Sequence, residues 1–246
     1  NLKKNQSAYM KTVNESAISL MDIVNDVLDF SKIESGKLEL NIEEINLFKL
    51  TNQVINLFKY QADLKKIDLI LDINKSIPQY ILADSVRLKQ ILVNLLSNAI
   101  KFTNFGEIRL DITEIETVEK KWSTIMFSVK DTGVGIKTGN NEKIFNSFVQ
   151  EDNSTNRKFG GTGLGLAISN QLLALMDSKL QLISKYGDGS DFYFVVKFKK
   201  TNHKKNKERL LSKTIQVAAI TPVTILEDKK VLIVEDNKIN MLLAKT

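Results

Sequence analysis

The stretch that most restricts the fold runs from residue 87 to residue 103, with the sequence RLKQILVNLLSNAIKFT. Asn94, Asn98 and Lys101 follow one another at spacings of four and three, which on a helix places them on one polar stripe. The opposite side is apolar, so the segment predicts a helix that turns two carboxamides and an ammonium toward a common cavity. Amide oxygens suit a hard cation such as Mg²⁺, and a lysine suits phosphate. Taken alone, the pattern also fits an ordinary amphipathic helix with a solvated polar face.

Composition removes several classes of function. The chain has 246 residues, of which 43% are hydrophobic and 26% charged, and this is ordinary globular composition. Without cysteine, and with His203 as the only histidine, it offers neither a thiolate nor a histidine metal site. The formal charge of +6 does not indicate nucleic-acid binding, because the basic residues are interleaved with 29 acids. No apolar run approaches the roughly 18 residues of a membrane span, so we expect a soluble, cytoplasmic segment without membrane contact.

The front of the chain predicts one long helix that ends near Gly36. Its apolar residues recur at alternating spacings of three and four, which is a heptad seam. Such a seam indicates a partner helix, either within the chain or in a second subunit, although a single core-facing helix would show the same pattern. The seam consists of Met10, Val13, Ala17, Leu20, Val24 and Val27.

Between residues 38 and 198, strand-like and helix-like segments alternate, which predicts one mixed α+β domain. The strands at 106–115 and 123–130 are expected to be antiparallel neighbours across a charged turn. The other predicted strands are 38–45, 67–73, 180–184 and 192–198, and the predicted helices are 47–65, 84–102 and 164–176.

The end of the chain has a different composition. Residues 201–230 are rich in Lys, Asn, Ser and Thr, which is typical of a linker. The sequence VLIVED that follows predicts a short buried strand ending in Glu235 and Asp236.

Asp131 begins the sequence DTGVGI directly after a predicted strand. Gly133 and Gly135 allow the backbone to approach a flat ligand, and a carboxylate at a strand end can accept a hydrogen bond from an exocyclic amine such as that of adenine. Two alternatives remain at this point: a simple tight turn, and an aspartic protease, whose second aspartate a dimer would supply.

A glycine-rich segment, GGTGLGL at residues 160–166, precedes the next predicted helix. Its amides and the helix N-terminus together form a potential phosphate site, although a glycine hinge would have similar composition. Arg157 and Lys158 stand just before it in a polar stretch that suits a mobile lid. Phe145 is expected to pack under this lid rather than against the ligand.

In this order and spacing, the motifs NLLSNAIKFT, DTGVGI, IFNSFVQ, GGTGLGL and YGDGSDF resemble the N, G1, F, G2 and G3 boxes of sensor histidine kinases. The resemblance implies the two-layer α/β sandwich of the Bergerat type, shared with DNA gyrase and heat-shock chaperones. It also implies a domain order: the second helix of a dimerisation and phosphoacceptor hairpin at 1–36, an ATP-binding domain at 37–200, a linker at 201–229 and the truncated start of a receiver domain at 230–246. The chain would then be part of a hybrid kinase.

The resemblance assigns roles by position. Asn98 would ligate Mg²⁺ with help from Asn94, Lys101 would contact phosphate, and Asp131 would bind the adenine amine. Arg157 or Lys158 would reach the γ-phosphate, and Glu235 and Asp236 would be receiver magnesium acids in an incomplete site. The remaining residues assigned to the nucleotide site, among which Phe145 would support the lid, are Phe102, Gly133, Gly135, Ile136, Phe145, Gly161, Thr162, Gly163, Leu164 and Gly165.

The implied activity is transfer of the γ-phosphoryl of Mg-ATP to a histidine outside this segment, with relay to an aspartate of a receiver domain. The implied partners are the phosphoacceptor helix, a response-regulator receiver domain and a second subunit of a homodimer. Two alternatives are a hydrolytic ATPase and a degenerate kinase that acts as a nucleotide-binding or scaffold module. The ATPase relatives usually carry a glutamate base at the position of Asn94, and an asparagine is a poor base, so transfer is favoured over hydrolysis.

Overall fold

The computed structural model describes residues 4–116, 121–137, 143–145 and 163–201, in which one long helix precedes an α+β domain. The first unit of the chain comprises Asn1–Asn202, and the second, His203–Thr246, lies outside the described residues together with the predicted linker and receiver segments. The helices are α1 (Lys4–Glu34), α2 (Leu47–Lys65), α3 (Ser85–Phe102) and α4 (Gly165–Ala174), with a 3-10 turn at Lys143–Phe145. The strands are β1 (Glu43–Asn46), β2 (Ile67–Ile73), β3 (Tyr80–Ala83), β4 (Gly106–Glu116), β5 (Trp122–Asp131), β6 (Gln181–Lys185) and β7 (Gly189–Lys200).

Helix α1 ends at Glu34, close to Gly36, as the sequence predicts. Gly36 adopts a left-handed conformation with φ +65°, and its N–H donates to the carbonyl of Ile33 over 2.9 Å. Seam residues such as Met10 and Leu20 are exposed, at 58% and 62% of their surface. The helix is confirmed, whereas its pairing with another helix remains a prediction.

Seven strands form one sheet within the described residues, in the order β1-β3-β7-β5-β4-β2, with β6 also beside β7. Strand β2 pairs parallel with β4, and the other pairs are antiparallel, including the predicted neighbours β4 and β5. Strand β6 pairs with residues 189–193 of β7, and β3 pairs with the last two residues of β7, Lys199 and Lys200. The two short strands therefore lie along the same edge of β7.

One face of the sheet carries the core. Alternate residues of β5 and β7 are buried there, and the rings of Phe127 and Phe194 stack with centroids 4.9 Å apart. Helices α2, α3 and α4 contribute the facing apolar residues, such as Val54, Leu92 and Leu172, all of which are fully buried. The result is the predicted two-layer α/β sandwich.

Some elements differ from the prediction. Residues 38–42 of the predicted strand 38–45 are not strand; β1 covers Glu43–Asn46, because it pairs solely with the four residues of β3. Strand β7 begins at Gly189 rather than at residue 192, and α4 ends at Ala174 rather than at residue 176. Strand β3 itself was missed. None of the described helices is long and apolar enough to cross a membrane.

Candidate nucleotide site

The site is organised around the second half of α3. Asp84 begins this helix as its N-cap and accepts the N–H of Arg87 over 3.0 Å. Leu88, Leu92 and Leu95 hold the helix against the core, so the opposite stripe is fixed in direction. The side chains of that stripe, Asn94, Asn98 and Lys101, are half-buried, which agrees with a cavity wall more than with a solvated face.

Asn94 lies against the start of α4. Its Nδ2 donates to the hydroxyl of Ser169 over 2.8 Å, and Ser169 is itself buried. A Cβ atom added to Gly165 would lie 2.3 Å from Asn94 Oδ1, a distance that real atoms do not tolerate. A side chain at position 165 would therefore require the Asn94 carboxamide to move, and glycine lets the first turn of α4 meet α3 with Asn94 in place.

The loop after β5 meets the other end of the stripe. Val134 N–H donates to the Phe102 carbonyl over 3.4 Å, and a Cβ atom on Gly133 would lie 2.6 Å from that same carbonyl oxygen. Asn98 and Lys101 thus occupy the part of α3 between the α4 contact and this loop.

Asp131 stands at the end of β5, opposite Ser190 of β7. Its Oδ1 accepts the N–H of Gly133 over 2.8 Å. Burial raises the pKa of Asp131 above its ordinary value; backbone hydrogen bonds from Gly133 and Ser190 lower it, and the nearby charge of Asp191 raises it. The hydrogen bond from Gly133 holds the Asp131 carboxyl in one orientation. The backbone hydrogen bonds offset only part of the hydration that the carboxylate loses on burial.

The turn between β6 and β7 forms the back of the same loop. Gly135 has φ +65°, and a Cβ atom there would lie 2.1 Å from the carbonyl oxygen of Lys185. Ile136 N–H donates to the hydroxyl of Ser184 over 2.9 Å. The turn at residues 186–188, between β6 and β7, therefore supports the glycine loop of the site.

The end of α3 carries Lys101 and Phe102. The Lys101 ammonium lies 4.9 Å from the centroid of the Phe102 ring, which is 37% exposed. Burial lowers the pKa of Lys101, because an ammonium loses hydration at this position. A bound anion would offset that cost.

The structure brings together the described members of the predicted site, except that Phe145 is packed with Ile144 against the hydrophobic core. Gly163, with φ +71°, and the buried Leu164 precede α4. The other predicted residues lie outside the described part of the chain: Arg157, Lys158, Gly161, Thr162, Glu235 and Asp236.

Sequence reasoning missed two polar groups of the site wall. Ser169 binds Asn94 from within α4, where it stands beside the polar residues Asn170 and Gln171 and has no distinguishing pattern, and Ser190 was given no role of its own within the YGDGSDF motif. The hydroxyls of Ser184 and Ser190 lie 3.0 Å apart behind Asp131. Only the proximity of Ser190 to the glycines of its motif could have indicated it.

The chain is similar to known proteins over most of its length. Residues 83–200 match the family model described as histidine kinase-, DNA gyrase B-, and HSP90-like ATPase. Hybrid signal transduction histidine kinase B of Dictyostelium discoideum is 38% identical over 195 residues, which are 79% of this chain and 10% of that protein. Sensor protein GacS of Pseudomonas syringae pv. syringae is 37% identical over 206 residues, 84% of this chain and 23% of that protein.

A solved structure is similar over most of the described fold. The crystal structure of full-length ShkA in complex with AMPPNP has a TM-score of 0.69 and 33% identity, and the match covers 82% of this chain and 40% of that chain. The chain spans less than half the length of each of these three relatives.

Fold, site and family match define an ATP-binding domain, and residues 83–200 belong to the histidine kinase-, DNA gyrase B- and HSP90-like ATPase family. Within that family, the chain carries the ATP-binding catalytic domain of the hybrid sensor histidine kinase type.

Proposed function

We propose that residues 37–200 bind Mg-ATP, and that the whole protein transfers the γ-phosphoryl group to a histidine for relay to a receiver aspartate. The observation that carries this proposal is the convergence of two glycine segments on one half of α3. Asn94 meets Gly165 at one end, the Phe102 carbonyl meets Gly133 at the other, and Asn98 and Lys101 lie between them.

At the base end, the Asp131 carboxylate would accept a hydrogen bond from the exocyclic amine of adenine. Its fixed orientation through Gly133 supports this role, since a held acceptor needs little reorganisation on binding. The half-exposed ring of Phe102 would flank the base. Gly133 and Gly135 would let the loop backbone approach the base closely, and Ile136 would make an apolar contact with it.

At the phosphate end, Asn98 would ligate Mg²⁺ through its amide oxygen, with Asn94 assisting, and Lys101 would contact phosphate. The described ranges contain no cluster of three or more His, Cys, Asp or Glu side chains suited to a metal. The proposed magnesium site therefore relies on one amide ligand together with phosphate oxygens of the nucleotide. This is a common arrangement, because Mg²⁺ often binds through few protein ligands plus substrate phosphates. When bound, the ion would neutralise charge on the phosphates.

The first turn of α4 would complete the phosphate end with Gly163, Leu164 and Gly165. Arg157, Lys158, Gly161 and Thr162 are proposed on sequence resemblance alone, and Phe145 is proposed to support the segment from the core side.

The chemistry would be transfer with little hydrolysis. The bond from the γ-phosphorus to the bridging oxygen would break with ADP as the leaving group, and an imidazole nitrogen would form the new bond to phosphorus, with the ring proton released to water. Asn94 has no basic group to activate water, so the residues of the stripe act by positioning and by charge neutralisation.

Helix α1 would be the second helix of the dimerisation and phosphoacceptor hairpin. Its exposed seam supports pairing with another helix and with a second subunit, because so much apolar surface on one helix favours association. The acceptor histidine would lie outside the segment, since His203 falls in the proposed linker. Residues 230–246 would begin a receiver domain, with Glu235 and Asp236 as its magnesium acids, and a receiver domain would be the relay partner.

Calorimetric titration with the nonhydrolysable analogue AMPPNP and Mg²⁺ tests the proposal. We expect binding by the wild type and a loss of at least about tenfold in affinity for Asp131→Asn, which replaces a charged acceptor by a neutral amide. Asp68→Asn is the matched control, because Asp68 is exposed on β2. Absence of binding by the wild type, or equal affinity of all three proteins, would refute the proposal.

A further inference from the structure

The first turns of α3 are tied to α1 through a closed set of hydrogen bonds. Arg87 Nη1 and Gln90 Nε2 both donate to Oδ2 of Asp29, each over 2.9 Å. Arg87 Nη1 also donates to Gln90 Oε1 over 2.8 Å. We call Asp29, Arg87 and Gln90 the Asp29 clasp.

The clasp is less exposed to solvent than a typical surface ion pair. The side chains of Arg87 and Asp29 are only 21% and 20% exposed, so water and salt screen their attraction incompletely. Two donors on one carboxylate oxygen also fix an angle between the helices, which a single flexible contact does not. The geometry therefore restrains the direction of α3 relative to α1.

A second contact anchors the same end of α3. Asp84 is buried, its Oδ1 caps the helix, and its Oδ2 accepts the N–H of Asn41 over 2.9 Å. Asn41 belongs to the segment 37–42 that leads from α1 to β1. Both α1 and the chain that leaves it are thus held at the start of α3.

Helix α3 is continuous from Ser85 to Phe102, so its two ends move together. At a rise of about 1.5 Å per residue, Asn98 lies roughly 16 Å along the axis from Arg87. A rotation of α3 at the clasp is therefore transmitted to the nucleotide end as a displacement, because the helix is a stiff rod on this scale.

We infer that Asp29 is a positioning residue: through Arg87 and Gln90 it sets the direction in which the nucleotide end of α3 faces α1. This inference rests on the proposed function, in which the hairpin of α1 carries the acceptor histidine. Asp29 contacts no nucleotide in this scheme, and it affects the distance between γ-phosphate and acceptor rather than the affinity for ATP.

Distance measurement between spin labels tests the geometry. The chain has no cysteine, so Ser16→Cys on α1 and Ser97→Cys on α3, both at exposed positions, give a single labelled pair. We expect a narrow distance distribution in the otherwise native chain and a broader one in Asp29→Asn. The double variant Asp29→Arg with Arg87→Asp should restore the narrow distribution, because Gln90 can donate or accept. Glu34→Gln, on an exposed position of α1, is the control and should leave it unchanged.

Kinetics of the whole protein provide the second readout. Asp29→Asn should lower kcat for phosphorylation of the histidine by about tenfold or more, because small misplacements of reacting groups are costly. KM for ATP should stay within about twofold, and the charge-reversed double variant should recover most of kcat. A merely structural role would lower the unfolding temperature without this division between kcat and KM.

The two proposals fail separately. If AMPPNP binds normally but Asp29→Asn leaves both the distance distribution and kcat unchanged, the positioning role is wrong and the nucleotide site stands. If AMPPNP does not bind at all, the proposed function is wrong, whatever the labels report.

Discussion

The two ends of α3 carry similar polar side chains on one stripe, but the protein uses them in different ways. At the N-terminal end, Arg87 and Gln90 bind a carboxylate of the protein itself. At the C-terminal end, Asn94 donates to a neutral hydroxyl, and Lys101 lies over an aromatic ring at a position where burial lowers its pKa. The role of a polar stripe therefore depends on its neighbours in the fold. Beside a carboxylate of the protein itself, as at Arg87, the stripe has a structural role, and where burial removes water from a charge, as at Lys101, the stripe is suited to binding a ligand.

The largest expected effect is on nucleotide affinity, and it should differ between the two ends of α3. Asn98→Ala should lower the affinity for AMPPNP by about 10- to 100-fold in the presence of Mg²⁺, because it removes a ligand to a charged group. Gln90→Ala, on the same stripe, should change that affinity by no more than about twofold. Titration calorimetry with and without Mg²⁺ measures both.

Without Mg²⁺, Asn98→Ala and the wild type should bind AMPPNP with the same affinity, because the Asn98 side chain is proposed to act through the metal ion. An equal loss in Gln90→Ala would mean that the two ends of α3 are not functionally distinct.

The next effect concerns the packing of Asn94. Gly165→Ala should destabilise the domain by about 1–3 kcal/mol, because the new methyl group overlaps Asn94 Oδ1. The better helix propensity of alanine offsets up to about 1 kcal/mol of this. Urea unfolding measures the change.

The background variant Asn94→Ala removes the overlapping atoms, so Gly165→Ala should cost little there. A cost that is the same in both backgrounds would show that the two residues are not coupled.

Periodic and local features of the fold could be predicted from the sequence. Helix α2 and strand β2 have the predicted bounds, because the helical and strand-like patterns of the sequence extend over the whole of each element. The structure shows that Lys66, in the left-handed conformation, separates the two. The α3 stripe could be predicted for the same reason, since residues three and four apart share a helix face whatever the tertiary fold.

Long-range partners could not be predicted in this way. Asp29 and Arg87 are 58 residues apart, and nothing in the heptad pattern of α1 distinguishes Asp29 from its exposed neighbours. Strand β3 has four residues, too few to show a period, and it exists because β1 and β7 supply its hydrogen bonds. Likewise, Ser169 joins the site only because Gly165 lets α4 approach α3.

A smaller effect is expected where Lys65 supports the nucleotide end. Its Nζ donates to the carbonyls of Ile100 and Thr103, which lie in the last turn and at the C-cap of α3. Lys65→Met keeps the apolar stem but removes both bonds and a charge that complements the helix dipole, so it should cost about 1–2 kcal/mol. Urea unfolding checks the loss, with Lys59→Met on the exposed side of α2 as the control. Equal stability of the two variants would show that the capping bonds contribute nothing.

The smallest expected effect is on thermal stability, and it has opposite signs for Asp131, at the end of β5, and Asp29, on α1. Burial raises the pKa of Asp131, so its ionised form costs the folded state free energy at neutral pH. Asp131→Asn keeps an acceptor for Gly133 N–H and removes that cost, so it should raise Tm at pH 7 by at most a few degrees. The gain should shrink as pH falls through the pKa of the folded protein and vanish below that of the unfolded chain. Asp29→Asn breaks an ion pair and should lower Tm at pH 7 instead. Scanning calorimetry from pH 3 to 8 measures both variants; a lower Tm for Asp131→Asn at pH 7 would show that the Asp131 carboxylate stabilises the fold instead of costing it free energy.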